Sequence, residues 1–263
     1  GYEIVAGNAT CCLEVASSIF PYSAWKIPWI HTAFENVGAS MSGVETMYRA
    51  LKKRGKITKP YKFIAIGGDG GTYDIGLQSL SGAMERGHDL VYIRYDNGAY
   101  MNTGVQRSGT TTQGGFTTTN PYETKKENSK NVPAIVAAHN PAYIATCSAS
   151  YPLDFHDKLL KAKEIKGLKY IHIQTPCPPG WGCDERMTVK IGKMAIESGL
   201  FDLYEIENGQ KSLSEPSKKL LKKDKLRLVQ DYLNLQTRFK ALTAEQVEVM
   251  QERINQKWDA YRQ

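Results

Sequence analysis

Cysteine is scarce in this chain of 263 residues: there are five, at positions 11, 12, 147, 177 and 183. They are too few and too unevenly spaced for the disulfide framework of a secreted domain, which implies a reducing, cytoplasmic setting. No Cys-x-x-Cys pair occurs. No apolar run is long enough to span a bilayer and no signal-peptide apolar segment is present, so no membrane role is expected. Gly-Lys-Ser/Thr is absent, which excludes a P-loop, and Gly68-Asp69-Gly70-Gly71-Thr72-Tyr73 lacks the last glycine of a dinucleotide fingerprint. The net charge of +7 is concentrated late in the chain, at Lys211, Lys218, Lys219, Lys222, Lys223, Lys225 and Arg227. No nucleic-acid motif accompanies it, and an acidic protein surface matches it better than a nucleic acid does.

What the chain does have is a glycine-rich turn with a single carboxylate, Gly67-Gly68-Asp69-Gly70-Gly71, placed directly after the strand-like Tyr61 to Ile66. Glycines let the backbone approach an anion, and N–H groups at a helix start point toward it. Asp69 adds a hard oxygen ligand, and Mg²⁺ asks for few protein oxygens beside phosphate oxygens and water. The next strand-like run, Val91 to Tyr95, ends at Asp96-Asn97, 28 positions beyond Asp69. Two adjacent strand ends thus converge on one ion and a diphosphate, at the edge where open α/β sheets bind ligands.

This pattern resembles thiamine diphosphate enzymes, and further segments make the resemblance specific. Asn8-Ala9-Thr10-Cys11-Cys12-Leu13-Glu14-Val15, Pro28 to Asn36, Gly68-Asp69-Gly70, Tyr100 to Gly109 and Thr175-Pro176-Cys177-Pro178-Pro179-Gly180-Trp181 together resemble the β subunit of pyruvate:ferredoxin oxidoreductase. They cover most of the chain in the family's order. The resemblance implies thiamine diphosphate, Mg²⁺ and a 4Fe-4S cluster as cofactors. It places Mg²⁺ on Asp69, the Asn97 side chain and the Ala99 carbonyl, with Gly68, Gly70 and Thr103 also against the cofactor. Asn102 falls beside the thiazolium and the substrate carbonyl, as the catalytic candidate. Cys12 and Cys177 become two of four cluster ligands, with Cys11, adjacent to Cys12, open to confusion with it. The other two family cysteines form a Cys-x-x-Cys pair upstream of the Asn-Ala-Thr segment. Because Gly1 to Ala6 reads as an interior strand, a preceding segment of about 30 to 50 residues is expected, which brings the unit into the usual domain size. The glutamate that activates the aminopyrimidine is expected from another chain or domain. Implied partners are the sister subunits, ferredoxin, a 2-oxo acid and coenzyme A.

Strands are predicted at Ile4–Ala6, Tyr61–Ile66, Leu90–Tyr95, Tyr143–Cys147, Tyr170–Gln174 and Leu203–Glu207, and helices at Ala33–Arg54, Asp74–Arg86, Pro152–Lys166 and Thr188–Ser198. The alternation argues for α/β architecture with a doubly wound, mostly parallel sheet. Residues 1–209 are assigned to the cofactor domain and residues 210–263 to a basic linker and helical extension. Thr243 and Gln246 form a capping box for a last helix with Val247, Met250, Ile254, Trp258 and Tyr261 on one face. That apolar stripe is expected to dock on a partner subunit. The irregular stretch 104–130 is long enough to be functional, shaping the pocket or facing a partner. Cys147 reads as a core thiol and Cys183 as a cluster neighbour or a loop thiol. His31 reads equally as a structural or a proton-transferring group; His88, His139, His156 and His172 suggest no partner. Three other readings stay open, an oxidoreductase of the same kind for another 2-oxo acid such as oxalate, a non-redox thiamine diphosphate decarboxylase and a non-catalytic phosphate-binding partner.

Overall fold

The computed structural model describes residues 1–23 and 25–263. Eight strands form one sheet: β1 (Glu3–Ala9), β2 (Trp29–Thr32), β3 (Tyr61–Gly68), β4 (Val91–Asp96), β5 (Tyr143–Ser148), β6 (Lys169–Gln174), β7 (Tyr204–Glu207) and β8 (Gln210–Leu213). Their order across the sheet is β2-β1-β3-β4-β6-β5-β7-β8. The first six pair in parallel; β7 joins β5 antiparallel and β8 closes a hairpin on β7. The chain leaves β1 toward β2 and later leaves β3 toward β4, so the winding direction reverses between β1 and β3. Ligands bind at such a switch point, outside the carboxyl ends of the strands.

The expected doubly wound α/β sheet is therefore present, with differences at its margins. A short α1 (Cys12–Ser18) follows β1; the four-residue β2 is too short to show alternation in sequence, and the helix predicted from Ala33 begins at Val37, as α2 (Val37–Lys53). The helix predicted from Asp74 starts five residues earlier, as a short α3 (Asp69–Tyr73) followed by α4 (Leu77–Glu85). Glycine's poor helix propensity hides this start.

Helices cover both faces. On one face Met41 of α2 and Leu80, Ala83 and Met84 of α4 pack with Phe63, Ala65, Tyr92 and Tyr170. On the other, Phe155, Leu159 and Ala162 of α5 (Pro152–Glu164) pack with Val91, Ala145, Cys147 and Ile171. Cys147 is fully buried there. Burial pushes its thiol up to about 12, and the core-thiol reading holds.

A third cluster corrects the expectation for the C-terminal extension. The last helix, α6 (Ala244–Arg262), begins at the anticipated capping box, with Thr243 and Gln246 each bonding the other's backbone. Its Met250, Ile254 and Trp258 are buried against Ile191, Ala195, Ile196, Leu203 and Leu220 of the same chain. Trp258 is wholly enclosed and donates to the Gly199 carbonyl at 3.0 Å. Gly199, at φ +70°, has no room for a side chain beside that indole. The stripe assigned to a partner subunit is thus covered by the chain itself at Met250, Ile254 and Trp258, with Val247 and Tyr261 partly buried beside them. A boundary at 209 would also cut the β7–β8 hairpin, whose turn is Asn208-Gly209.

Candidate functional site

Three strand ends supply the site. After β1 the chain turns at Thr10-Cys11 into a short helix that begins at Cys12; after β3 it passes Asp69; after β4 it passes Asn97. Gly68 lies opposite Tyr95 in the β3–β4 ladder, which brings the two loops side by side. A cavity of about 100 Å³ opens between them, lined by Cys12, Gly68, Asp69, Gly70, Asn97, Ala99, Asn102 and Thr103 together with Thr10, Cys11, Val15, Phe34, Gly71, Tyr95, Tyr100 and Met101. The structure therefore gathers every predicted Mg²⁺ and cofactor residue, and Cys12, around one space.

Asp69 is the first residue of its helix and is buried. Its Oδ2 accepts from Ser108 Oγ at 2.6 Å and Thr110 Oγ1 at 3.4 Å. Burial, and after it the negative charge of Asp96, holds the Asp69 carboxyl above the ordinary carboxylate range, against the opposing pull of Arg94 and Ser108. Among the described residues this carboxylate forms no ion pair, and its burial outweighs the pull of Arg94. Gly70 is required by packing, since a Cβ there would fall on the Tyr100 ring.

Asn97 carries the complementary deficit. Its Oδ1 is buried with no hydrogen-bond partner among the described residues, while its Nδ2 donates to Cys12 Sγ at 3.4 Å. A buried carbonyl oxygen without a donor is costly and rare, and a cation is one way to satisfy it. The turn that presents it is held from several sides. Trp181 Nε1 donates to the Asn97 carbonyl at 2.7 Å, and the Gly98 amide donates to Asp96 Oδ1 at 3.1 Å. Asp96 Oδ2 meets Arg94 at 2.7 Å and His172 at 2.8 Å. Burial raises the Asp96 carboxyl, but Arg94 and His172 outweigh it and hold it below its ordinary range. Asp96 is thus already paired and serves the turn, whereas Asn97 and Asp69 are left to face the cavity. A carboxylate and an unpartnered amide oxygen are hard donors of the kind Mg²⁺ takes, and Ala99 lines the same space.

A larger cavity of about 500 Å³ lies on the far side of the Asp96–Asn97 turn, lined in part by Arg94, His172, Asp202, Arg238 and Lys257. Its acids are committed: Asp96 as above, and Asp202 to Lys257 at 3.0 Å. It offers no free carboxylate to a metal.

The cysteines separate cleanly. Cys11 points inward, buried against Gly68 and receiving Asn8 Nδ2 at 3.4 Å; burial raises its thiol. Cys12 faces Asn97. Cys177 lies outside the lining, half-buried at the start of the Pro178–Trp181 helix, where burial raises its thiol and Cys12 adds to the effect. Cys183 is a half-buried loop thiol nearby. Among the described residues no three His, Cys, Asp or Glu side chains meet as a metal centre, so Cys12 and Cys177 would hold a cluster only with thiolates from elsewhere. His31 does not line the cavity; it meets Thr10 Oγ1 at 2.8 Å and Glu14 at 3.6 Å, at the rim. His172, without a partner in sequence, is the support of Asp96. Ser108, Thr110 and His172 are not legible as supports of the site, because the carboxylates they meet, Asp69 and Asp96, lie 39, 41 and 76 positions away.

Residues 8–173 match the family described as thiamine pyrophosphate enzyme, C-terminal TPP binding domain. The chain is 48% identical to the pyruvate synthase subunit PorB of Methanocaldococcus jannaschii over 98% of its own length and 86% of that protein. It is 50% identical to the subunit of the same name from Methanothermobacter marburgensis, over 97% of this chain and 86% of the other. A ketoisovalerate oxidoreductase subunit VorB of Pyrococcus abyssi is 42% identical, over 98% of this chain and 83% of the other. Among solved structures, a 2-oxoglutarate:ferredoxin oxidoreductase from Magnetococcus marinus with 2-oxoglutarate, coenzyme A and succinyl-CoA bound superposes with a TM-score of 0.57 at 25% identity, over 67% of this chain and 55% of that one. No helix among the described residues is long and apolar enough to cross a membrane. The reversal of winding at β1/β3, the paired deficits of Asp69 and Asn97 and this similarity over nearly the whole chain converge: the chain belongs to the thiamine pyrophosphate enzyme family, as a thiamine-diphosphate-binding subunit of the 2-oxoacid:ferredoxin oxidoreductases.

Proposed function

We propose that Asp69, the Asn97 side chain and the Ala99 carbonyl hold Mg²⁺, and that the backbone around Gly68 and Gly70 receives the diphosphate it neutralises. The observation that carries this is the unpartnered Asn97 Oδ1 facing the same cavity as the uncompensated Asp69 carboxylate. When bound, thiamine diphosphate supplies the nucleophilic carbon and the electron sink for decarboxylating a 2-oxo acid. The protein's part is binding, orientation and exclusion of water. Asn102 and Thr103, exposed on the cavity rim, are placed to meet the reacting end, and Asn102 is the residue assigned there.

The cavity is small against the roughly 300–1,000 Å³ of sites that enclose a whole ligand. Its remaining wall comes from a sister subunit, which also brings the aminopyrimidine-activating glutamate. Cys12 and Cys177, completed by thiolates outside these residues, would hold a 4Fe-4S cluster that supplies one-electron transfer toward ferredoxin. Cys12 stands against Asn97, so the cluster ligand and the metal ligand share one wall. The substrate is pyruvate, giving acetyl-CoA and CO₂ with coenzyme A as acceptor, and the setting is the cytoplasm. Relatives named for pyruvate span 42 to 50% identity and one named for ketoisovalerate is at 42%; the upper end of that range supports pyruvate.

Viologen reduction by the assembled complex, with coenzyme A and either pyruvate or ketoisovalerate, tests the reading. Pyruvate is expected to show the higher kcat/KM by at least about tenfold, the scale at which a pocket separates substrates differing by a few methyl groups. The isolated chain is expected to be silent. Preference for ketoisovalerate would overturn the substrate, and turnover by the isolated chain would overturn the division of the site.

A further inference from the structure

The stretch 104–130 contains a buried lysine that the proposed chemistry does not use. Lys125 is 1% exposed, and among the described residues it forms no ion pair. Its ammonium instead donates to three carbonyls, Thr111 at 2.6 Å, Asn128 at 3.3 Å and Gly109 at 3.5 Å. A buried cation without a counter-charge is destabilising and is retained only where it is well bonded. Burial, and then the charge of Arg107, draws this ammonium down to about 8.

Two of the carbonyls it holds, Gly109 and Thr111, belong to a tight turn. Ser108 N donates to Thr111 Oγ1 at 2.9 Å and Thr111 N returns to the Ser108 carbonyl at 3.2 Å. One side of this turn presents Ser108 Oγ and Thr110 Oγ1 to Asp69; the other side, Gly109 and Thr111, rests on Lys125. The support continues to the C-terminal helix. Arg253 Nη1 donates to Gln113 Oε1 at 2.7 Å and to Asn128 Oδ1 at 2.6 Å, tying both flanks of the stretch to α6. Leu242 lies under Gly114, and the Phe116 amide donates to the Arg238 carbonyl at 2.8 Å.

We infer that Lys125, braced by Arg253, is a positioning residue for Mg²⁺ binding: it fixes the 108–111 turn so that Ser108 and Thr110 hold the Asp69 carboxylate in the orientation the metal requires. The inference rests on the assignment of Asp69 as a Mg²⁺ ligand. The C-terminal extension thereby acquires a role at a site its own residues do not line, since it clamps the stretch that aims the ligand.

The test is made on the assembled complex stripped of Mg²⁺ and cofactor, titrated with MgCl₂ at fixed thiamine diphosphate, with Asp69→Ala as control. Lys125→Met and Ser108→Ala are each expected to raise the Kd for Mg²⁺ about tenfold, the scale of one hydrogen bond involving a charged group, and the exposed Arg253→Ala about threefold. At saturating Mg²⁺ and cofactor, kcat should return to within about twofold of wild type, a split between binding and turnover that general damage would not give. Amide exchange should quicken across 108–111 in both Lys125→Met and Arg253→Ala. Wild-type Mg²⁺ affinity in both, beside a lost affinity in Asp69→Ala, would overturn the inference and leave the metal site standing; should Lys125→Met fail to fold, Arg253→Ala decides alone. Wild-type affinity in Asp69→Ala would instead overturn the metal assignment, and this inference with it.

Discussion

Asp69→Ala is expected to weaken Mg²⁺-dependent binding of thiamine diphosphate by at least about 100-fold, close to 2.8 kcal/mol, while the metal-free protein unfolds at the wild-type temperature. Both halves follow from the surroundings of the residue. It is the carboxylate in the cavity lining, so without it the ion keeps only neutral protein oxygens against a diphosphate. In the metal-free protein the same carboxylate is buried and uncompensated, so its removal takes away no net favourable charge interaction. Calorimetric titration with thiamine diphosphate and MgCl₂, paired with a thermal melt, measures both. Wild-type retention of the cofactor would remove Asp69 from the metal.

Cys177→Ser is expected to lose the visible iron–sulfur absorption of the assembled complex and its ferredoxin-reducing activity, with cofactor affinity kept. A hydroxyl is a hard, poor substitute for a thiolate ligand, and Cys177 lies outside the cofactor cavity. Cys147→Ser is the matched control. Its thiol is fully buried in the β5–β6 core, so the hydroxyl should destabilise the fold by about 1–3 kcal/mol and leave the absorption intact. Iron analysis and the visible spectrum decide the matter, and equal loss of iron in both variants would show that the thiolate assignment is wrong.

What was legible in the sequence was what is local. Asp69 and Asn97 stand at the ends of runs whose β-character is plain, and the glycines beside Asp69 mark a close approach; the sheet's alternation and the Thr243–Gln246 cap are local in the same way. The start of α3 at Asp69 was hidden because glycine disfavours helix, yet Gly70 is needed there by the Tyr100 ring. β8 was hidden because Gln210 to Leu213 is mostly polar and exposed, a strand only by pairing with β7. The supports of the site were not legible at all. His172 finds Asp96 and Arg94 across 76 and 78 positions, and Ser108 finds Asp69 across 39. The apolar stripe of α6 was correctly seen but its partner was not, since periodicity shows that a face must be covered and not by what.

Mg²⁺ and the diphosphate are expected to meet in the space between Asp69 and Asn97. The most direct test is a crystal structure of the assembled complex grown with Mn²⁺ and thiamine diphosphate, read by the anomalous scattering of the metal. A single Mn²⁺ is expected at this site, bonded to an Asp69 carboxylate oxygen, Asn97 Oδ1 and the Ala99 carbonyl, with the diphosphate completing its shell. A metal centred elsewhere, or a diphosphate bound with Asn97 Oδ1 still unliganded, would contradict it.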